Sequence, residues 1–384
     1  MHKKKIVSYW SPFISKVATI KAVYNSAISL NRYSNGEFES IIIDVFGEWK
    51  NNNKVNSNKI KIHSLNYIKF LFKFSSEGFI KSRIKYIIIF MYSFLALKKY
   101  LIKFRPDYLV VHLVTSLPLF LNLLFNFDTK LILRISGKPK MNLIRYFFWK
   151  IALKKVYKIS FPTSETLEYF KSLNFSCTEK FVLMNDPIIQ INEINKKKRE
   201  QINDLEIKDK NYFLAIGRLT KQKNFLFLIK CFSKLILDDP SLKLVIIGEG
   251  EDEIKMRNLI KQNKAQKNIF LLGHQKNVFK YLKNCKAFIL SSLWEDPGFV
   301  IVEAISCNAL IISSDCSSGP KEIIGNKNGF LFKNNSKSDF FKKFNLIINL
   351  SEAEKKDYKI NAKKQLKNFS IFNHYKKLYK LLNE

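Results

Sequence analysis

The stretch Ser291-Ser292-Leu293-Trp294-Glu295-Asp296-Pro297-Gly298-Phe299-Val300-Ile301-Val302-Glu303-Ala304 ends one apolar run and opens another. Its two carboxylates, Glu295 and Glu303, stand 8 positions apart across a Pro-Gly break. On one continuous helix that spacing would set them roughly 80° apart. Pro297 inside such a helix would remove a hydrogen bond and clash with the preceding turn. The stretch therefore reads as a strand, a loop carrying Glu295, and a helix carrying Glu303 in its first turns. Both carboxylates can then face a ligand lying over the helix N-terminus. Carboxylates suit the hydroxyls of such a ligand, and backbone N–H groups suit its phosphates.

The same strand–loop–helix unit recurs on both sides. β-branched runs at Lys5–Tyr9, Ser40–Asp44, Tyr108–His112, Lys130–Ile135 and Lys158–Pro162 alternate with longer helical patterns. A second set follows at Tyr212–Gly217, Leu242–Ile247, Ile269–Leu272, Ala287–Ser291, Leu310–Ser313 and Gly329–Phe332. Strands separated by helices imply parallel sheets covered on both faces. Two sets in 384 residues imply two doubly wound α/β domains. The boundaries expected are 1–190 for the first domain, a polar linker at 191–210, 211–357 for the second, and a basic helical segment at 358–384.

Composition narrows the function classes. Hydrophobic residues at 47% supply two cores and exclude global disorder. The 5 cysteines (Cys177, Cys231, Cys285, Cys307, Cys316) are scattered without a C-x-x-C pair, so they read as buried small hydrophobes in a reducing compartment. The net charge of +34 accompanies an abundance of Lys, Asn, Ile and Phe along the whole chain, a pattern a coding bias would produce. A basic partner surface for nucleic acid or an anionic membrane is the other source, and no zinc-finger, RNP-like or basic-zipper pattern favours nucleic acid.

Charge is concentrated from Lys59 to Arg105, where 11 basic residues, Lys69, Lys73 and Lys81 among them, face a single acid, Glu77. Within that stretch Ile87–Leu97 is an uninterrupted apolar run, too short for the roughly 20 residues that span a bilayer. It reads either as a core helix with solvated ends or as a helix lying in a membrane interface. The Lys3-Lys4-Lys5 start lacks the apolar core of a signal peptide, so a cytoplasmic location, peripheral on the membrane at most, is expected.

Three constellations carry the chemistry of the second half, each after an expected strand, where open α/β sheets place ligands. In Gly217-Arg218-Leu219-Thr220-Lys221-Gln222-Lys223-Asn224, Gly217 permits close backbone approach, and Arg218 and Lys223 outline a diphosphate clamp. Gly248-Glu249-Gly250 lacks the dinucleotide spacing and reads as a tight turn admitting a neighbouring loop or ligand. The Glu295–Glu303 element is joined by Ser313 to Ile323, where Pro320 stands at a plausible first helical position after small capping residues.

In this order, with Gly273-His274 between the second and third, these residues resemble the donor-binding half of the group 1 (family 4) retaining glycosyltransferases, which use nucleotide sugars and have the GT-B fold. The resemblance covers roughly Tyr212 to Phe332. It implies two Rossmann-like domains facing across a cleft, a final helical segment that packs back on the first domain, no cofactor and no metal. It further implies that Arg218 and Lys223 hold the donor diphosphate and stabilise the leaving group. Glu303 would bind ribose, Glu295 would lie near the transferred sugar, Gly298, Phe299 and Val300 would offer backbone N–H groups, and Gly273–Val278 would border the base. The pattern departs from the family at Glu295-Asp296-Pro297-Gly298-Phe299, where the aromatic stands later than usual. It also departs at Leu133–Pro139, which has no histidine.

For the acceptor, Ser11, His112, Ser136 and Gly137 are the candidates of the first half. The leading expectation is a retaining hexosyl- or N-acetylhexosaminyl-type transferase with a UDP-linked donor. Its acceptor would be a glycan or polyprenyl-diphosphate-linked glycan of bacterial-type surface polysaccharide synthesis, with no nucleic-acid partner. A GT-B-like sugar-nucleotide epimerase and a non-catalytic basic protein binding membrane or nucleic acid are the alternatives.

Overall fold

The structure, a computed structural model, describes residues 4–13, 19–49, 60–65, 79–139, 141–202, 207, 211–325 and 327–384. Lys59, Lys69, Lys73 and Glu77, the side chain of Lys81 and part of the expected linker lie outside them. The chain forms two compact units, Met1–Pro187 with Ile371–Glu384, and Ile188–Ser370.

The first unit carries β1 (Lys5–Trp10), β2 (Phe38–Asp44), β3 (Lys61–Ser64), β4 (Tyr108–Val111), β5 (Lys130–Arg134), β6 (Lys158–Phe161) and β7 (Phe181–Leu183). They form one parallel sheet in the order β3-β2-β1-β4-β5-β6-β7. Side chains of a strand alternate between faces, and β1 divides accordingly: Val7 and Tyr9 join one apolar cluster, Trp10 the other. The order reverses direction between β1 and β4, so the loops after those strands, with Ser11 and His112, meet at a topological switch point.

The second unit carries β8 (Phe213–Ile216), β9 (Leu244–Ile247), β10 (Ile269–Leu271), β11 (Ala287–Leu290), β12 (Leu310–Asp315) and β13 (Phe330–Lys333). Its parallel order is β10-β9-β8-β11-β12-β13, with the switch between β8 and β11. Arg218 and Lys223 follow β8, and Glu295 follows β11. The switch point thus brings together loops 72 residues apart in sequence.

Eleven strands fall where the apolar runs predict them. The edge strands β3 and β7 escape the sequence pattern because both are short, 4 and 3 residues, and β3 also carries Lys61 and His63. Residues 191–210, expected as linker, contain the helix Ile191–Lys197 and belong to the second unit. Its Lys197 carbonyl accepts from Asn277 Nδ2 at 2.8 Å, which ties the segment to the β10 side of that unit.

The basic C-terminal segment is also divided. Glu352–Leu366 is a helix of the second unit, started by a capping box between Ser351 and Glu354. Ile371–Leu382 is a separate helix of the first unit. Leu378, Leu381 and Leu382 of that helix fill the Val7–Tyr9 face of the first sheet, and Tyr108 Oη donates to the Leu382 carbonyl. His374 is buried within the same helix. Its ring nitrogens lie 2.8 Å from Ser26 Oγ and 3.2 Å from the Asn185 carbonyl. Burial lowers its pKa to about 4.

Candidate functional site

In the second unit the loops at the carboxyl ends of β8, β9 and β10 are stitched through their backbones. Gly217 N–H donates to Ile247 O at 3.0 Å, Leu219 N–H to Glu249 O at 2.9 Å, and Gly248 N–H to Gly273 O at 2.9 Å. Gly248 is demanded by this stitching. Its φ is +149°, and a Cβ there would lie 1.8 Å from the Gly217 carbonyl oxygen. The close backbone approach expected at Gly217 therefore belongs to Gly248. At Gly217 a Cβ would instead meet the Lys223 stem at 2.9 Å, so the absent side chain there makes room for the lysine.

That stem delivers the ammonium to a carboxylate. Lys223 Nζ lies 2.5 Å from Glu295 Oε1, and the two side chains are only 14% and 6% exposed. Ser292 Oγ donates to the same carboxylate oxygen. The surrounding backbone is held just as firmly. Leu293 N–H donates to Gln222 O at 2.8 Å, Gln222 Nε2 to Trp294 O at 3.0 Å, and Ser291 Oγ to Lys223 O at 2.8 Å. Glu295 N–H donates to Ser317 O at 3.1 Å, and Ser314 Oγ to Ser292 O at 2.6 Å. A buried ion pair with one partner removed leaves an uncompensated charge at a cost of roughly 3–5 kcal/mol. Lys223 and Glu295 are consequently interdependent.

Arg218 differs from Lys223. It is exposed, and among the described residues its guanidinium has no hydrogen-bond or ion-pair partner. One cation of the expected clamp is thus held by a carboxylate, and the other stands open to solvent.

Beyond Glu295 the Asp296–Pro297 peptide is cis, and Gly298 adopts a left-handed conformation immediately before the helix Phe299–Ser306. No side chain caps that helix, so its first N–H groups remain available. Phe299 is buried and packs inward, which leaves its backbone, rather than its ring, for a ligand. Glu303 is the one charged side chain of this largely apolar helix, and it is partly buried. The helix at Pro320–Ile324 is only 5 residues long and begins after Gly319, not after a capping serine. A Cβ on Gly319 would lie 2.0 Å from the Pro297 carbonyl oxygen, so this glycine serves the packing of the Glu295 loop.

Cys316 lies beside the pair. Burial pushes its thiol up to about 12, so at neutral pH it is a packing group and not a thiolate. Sequence reasoning missed Ser292, Ser314 and Ser317. The only signal for them was small polar residues flanking the strand ends. All 5 cysteines are free. Among the described residues no three His, Cys, Asp or Glu side chains gather as a metal-binding group.

The acceptor candidates belong to the first unit and fare unequally. Ser11 and His112 are buried, and among the described residues Ser11 Oγ and His112 Nδ1 have no hydrogen-bond partner. His112 N–H donates to Trp10 O at 3.0 Å, continuing the β1–β4 ladder. Burial, reinforced by the Arg134 charge, holds the imidazole well below its ordinary pKa. It is therefore a neutral hydrogen-bonding group. Ser136 is exposed and accepts from Arg134 Nη1, while Gly137 is buried with φ +61°. Arg134 also grips Asp186, both only 3% exposed, through Nε at 3.0 Å from Oδ1 and a second contact from Nη2. This ion pair was not read from the sequence, because its partners stand 52 residues apart with nothing to link them.

Comparison with known proteins agrees with this geometry. Residues 197–365 match the model of the glycosyl transferases group 1 family. This region belongs to that family. Over 239 residues the chain is 34% identical to an uncharacterized glycosyltransferase of Methanocaldococcus jannaschii, covering 58% of this chain and 59% of the relative. Over 255 residues it is 28% identical to a Campylobacter jejuni N-acetylgalactosamine-N,N'-diacetylbacillosaminyl-diphospho-undecaprenol 4-alpha-N-acetylgalactosaminyltransferase, covering 64% and 67%. The chain thus spans less than two thirds of the first relative's length. Among solved structures, a Rickettsia africae glycosyltransferase superposes with TM-score 0.78 at 16% identity, covering 100% of this chain and 98% of the other. Anabaena HepE in complex with UDP and glucose gives 0.72 at 13%, each chain covered completely. These likenesses establish the GT-B architecture of two Rossmann-like units.

Proposed function

We propose that the chain is a retaining glycosyltransferase that moves a hexosyl or N-acetylhexosaminyl group from a nucleoside-diphosphate sugar, UDP-linked, to a glycan or polyprenyl-diphosphate-linked glycan in surface polysaccharide synthesis. The observation that carries this reading is the buried Lys223–Glu295 pair, with an exposed Arg218 that has no side-chain partner among the described residues and an uncapped helix N-terminus. Departure of a diphosphate needs negative charge stabilised in a preorganised site. Arg218 offers a planar fork to phosphate, and Lys223 adds a positive charge already fixed in place. The orphan N–H groups at Phe299 and Val300 add dipolar stabilisation. Glu295, fixed by Lys223 and Ser292, offers a carboxylate to the sugar hydroxyls and to positive character at the anomeric carbon. Glu303 serves the ribose, and Gly273–Val278 border the base.

With two cations and a helix N-terminus assigned to the diphosphate, the proposal requires no divalent metal. Ser11 and neutral His112, with Ser136 and Gly137, contribute to the acceptor side. The enzyme works at the cytoplasmic side of a membrane. The UDP complex of HepE and the undecaprenol-linked substrate in the name of the Campylobacter relative support the choice of donor and acceptor.

The test incubates the purified chain with UDP-sugars and glycan or lipid-linked glycan acceptors, with and without EDTA. Free UDP and a new glycosidic bond of the donor's anomeric configuration, read by NMR and unaffected by EDTA, are expected. An isomerised nucleotide sugar with no UDP released would overturn the reading in favour of an epimerase.

A further inference from the structure

We infer that the first unit carries a monolayer-inserting face for an anionic lipid surface, built from the outward sides of the helices Phe79–Phe104 and Leu143–Ala152. The long helix has two apolar faces instead of one. Ile89, Ser93, Ala96, Leu97 and Tyr100 are buried against the sheet. On the opposite side Ile84, Ile87, Met91 and Leu95 are 52–65% exposed. Spaced at i, i+3, i+7 and i+11, these four fall within an arc of about 80°. Amphipathic surface helices ordinarily turn charge outward; this one turns a second apolar stripe outward.

The pattern repeats on a neighbouring element. Leu143, Ile144, Phe147 and Ile151 of the second helix are 56–82% exposed. The helix Ser116–Leu124 touches both. The ring centroids of its Phe120 and of Phe90 lie 5.9 Å apart, and its Leu124 is exposed. Together the three elements form an apolar surface larger than scattered hydrophobic residues would give, the kind that marks an interaction site.

Charge selects the occupant. None of the three helices contains an acidic residue. Exposed cations rim the surface at Lys99, Lys103 and Arg105 on one side and at Lys150, Lys154 and Lys155 on the other. A second copy of the chain would bring like charges together, whereas anionic headgroups complement the rim while the stripes enter the acyl boundary. Among the described residues no helix is long and apolar enough to cross a membrane, so the contact is interfacial. The Ile87–Leu97 run packs as a core helix on one side, and the proposed interfacial reading concerns the opposite, exposed side of the same helix. This inference rests on the proposed function only for its use, which is to hold the enzyme beside a lipid-linked acceptor.

The test is sedimentation of the full chain with vesicles of phosphatidylcholine containing phosphatidylglycerol, in the absence of donor and acceptor, so that its failure would leave the transferase reading standing. Binding is expected to weaken in pure phosphatidylcholine and at high salt. Replacing Ile87, Met91, Leu95 and Phe147 by Glu should lower partitioning roughly tenfold or more. A milder Met91→Gln/Phe147→Gln variant, with unchanged melting and unchanged turnover on a soluble acceptor, should show an intermediate loss. Wild-type protein that stays in the supernatant at low salt would overturn the inference, as would variants that sediment like wild type. A dimer dispersed by the same substitutions without vesicle binding would assign the face to a second copy instead.

Discussion

The two units share one plan, a parallel sheet with its switch point in the middle, yet they use the carboxyl ends of their strands differently. In the second unit charge is placed at the loops: Lys223 and Glu295 are paired within a shell of serines, and Arg218 is left open. In the first unit the corresponding ends are buried and neutral at Ser11 and His112, and Arg134–Asp186 is an ion pair buried on both sides. A site that must meet a diphosphate needs fixed positive charge at the ligand. A site that must admit hydroxyls needs only unpartnered neutral groups in a shaped surface. Under the proposed function, donor chemistry falls to the second unit and acceptor selection to the first.

The comparison is broken most severely at the pair itself. Glu295→Gln and Lys223→Ala should each lower turnover by roughly 10²–10³-fold, the range seen when one preorganised electrostatic contact is removed, while Ser11→Ala should cost far less. Equal losses at Ser11 and Glu295, measured as kcat/KM, would erase the distinction between the units.

A structural break is next in size. Gly248→Ala places a Cβ against the Gly217 carbonyl at a backbone conformation costly for side chains, and should destabilise the second unit by on the order of 3 kcal/mol. Gly273→Ala, where φ is +63° but no atom lies near the added carbon, should cost clearly less. Denaturant midpoints compare the two.

Acid sharpens the contrast from the other side. The unfolded chain protonates His374 near pH 6.5, whereas the folded chain does so only at about 4. Between those values the unfolded state binds the extra proton, so stability falls as pH drops, by roughly 3 kcal/mol in all. His112 acts with the same sign. Both histidines belong to the first unit, so His374→Gln should flatten the decline between pH 6.5 and 4, read from the slope of stability against pH.

Much of the fold was legible because buried parallel strands write themselves as β-branched runs. Eleven strands and the loop–helix division at Pro297–Gly298 follow from such runs and from proline chemistry. The edge strand β3 breaks such a run with Lys61 and His63, and β7, at 3 residues, is too short to stand out as one. The placement of Glu295 on a loop and Glu303 on a helix was legible for the same reason. That Lys223 reaches Glu295 was not, since a lysine-rich chain offers many cations and only the β8–β11 switch selects one. The Arg134–Asp186 pair and the point at which the C-terminal segment divides, Ser370, were invisible for a related reason, because long-range pairing is set by topology and not by local pattern. The outward stripe of the long helix was legible only as an ambiguity between core and interface.

The central claim is that the second unit binds a nucleoside diphosphate through Arg218 and Lys223. Thermal unfolding of the full chain with and without UDP tests it most directly, because a ligand that binds the native state raises its apparent stability. The account predicts a melting temperature that climbs with UDP concentration in wild type and in Ser11→Ala, and loses most of that climb in Arg218→Ala. No response to UDP in wild type, or an undiminished response in Arg218→Ala, would contradict it.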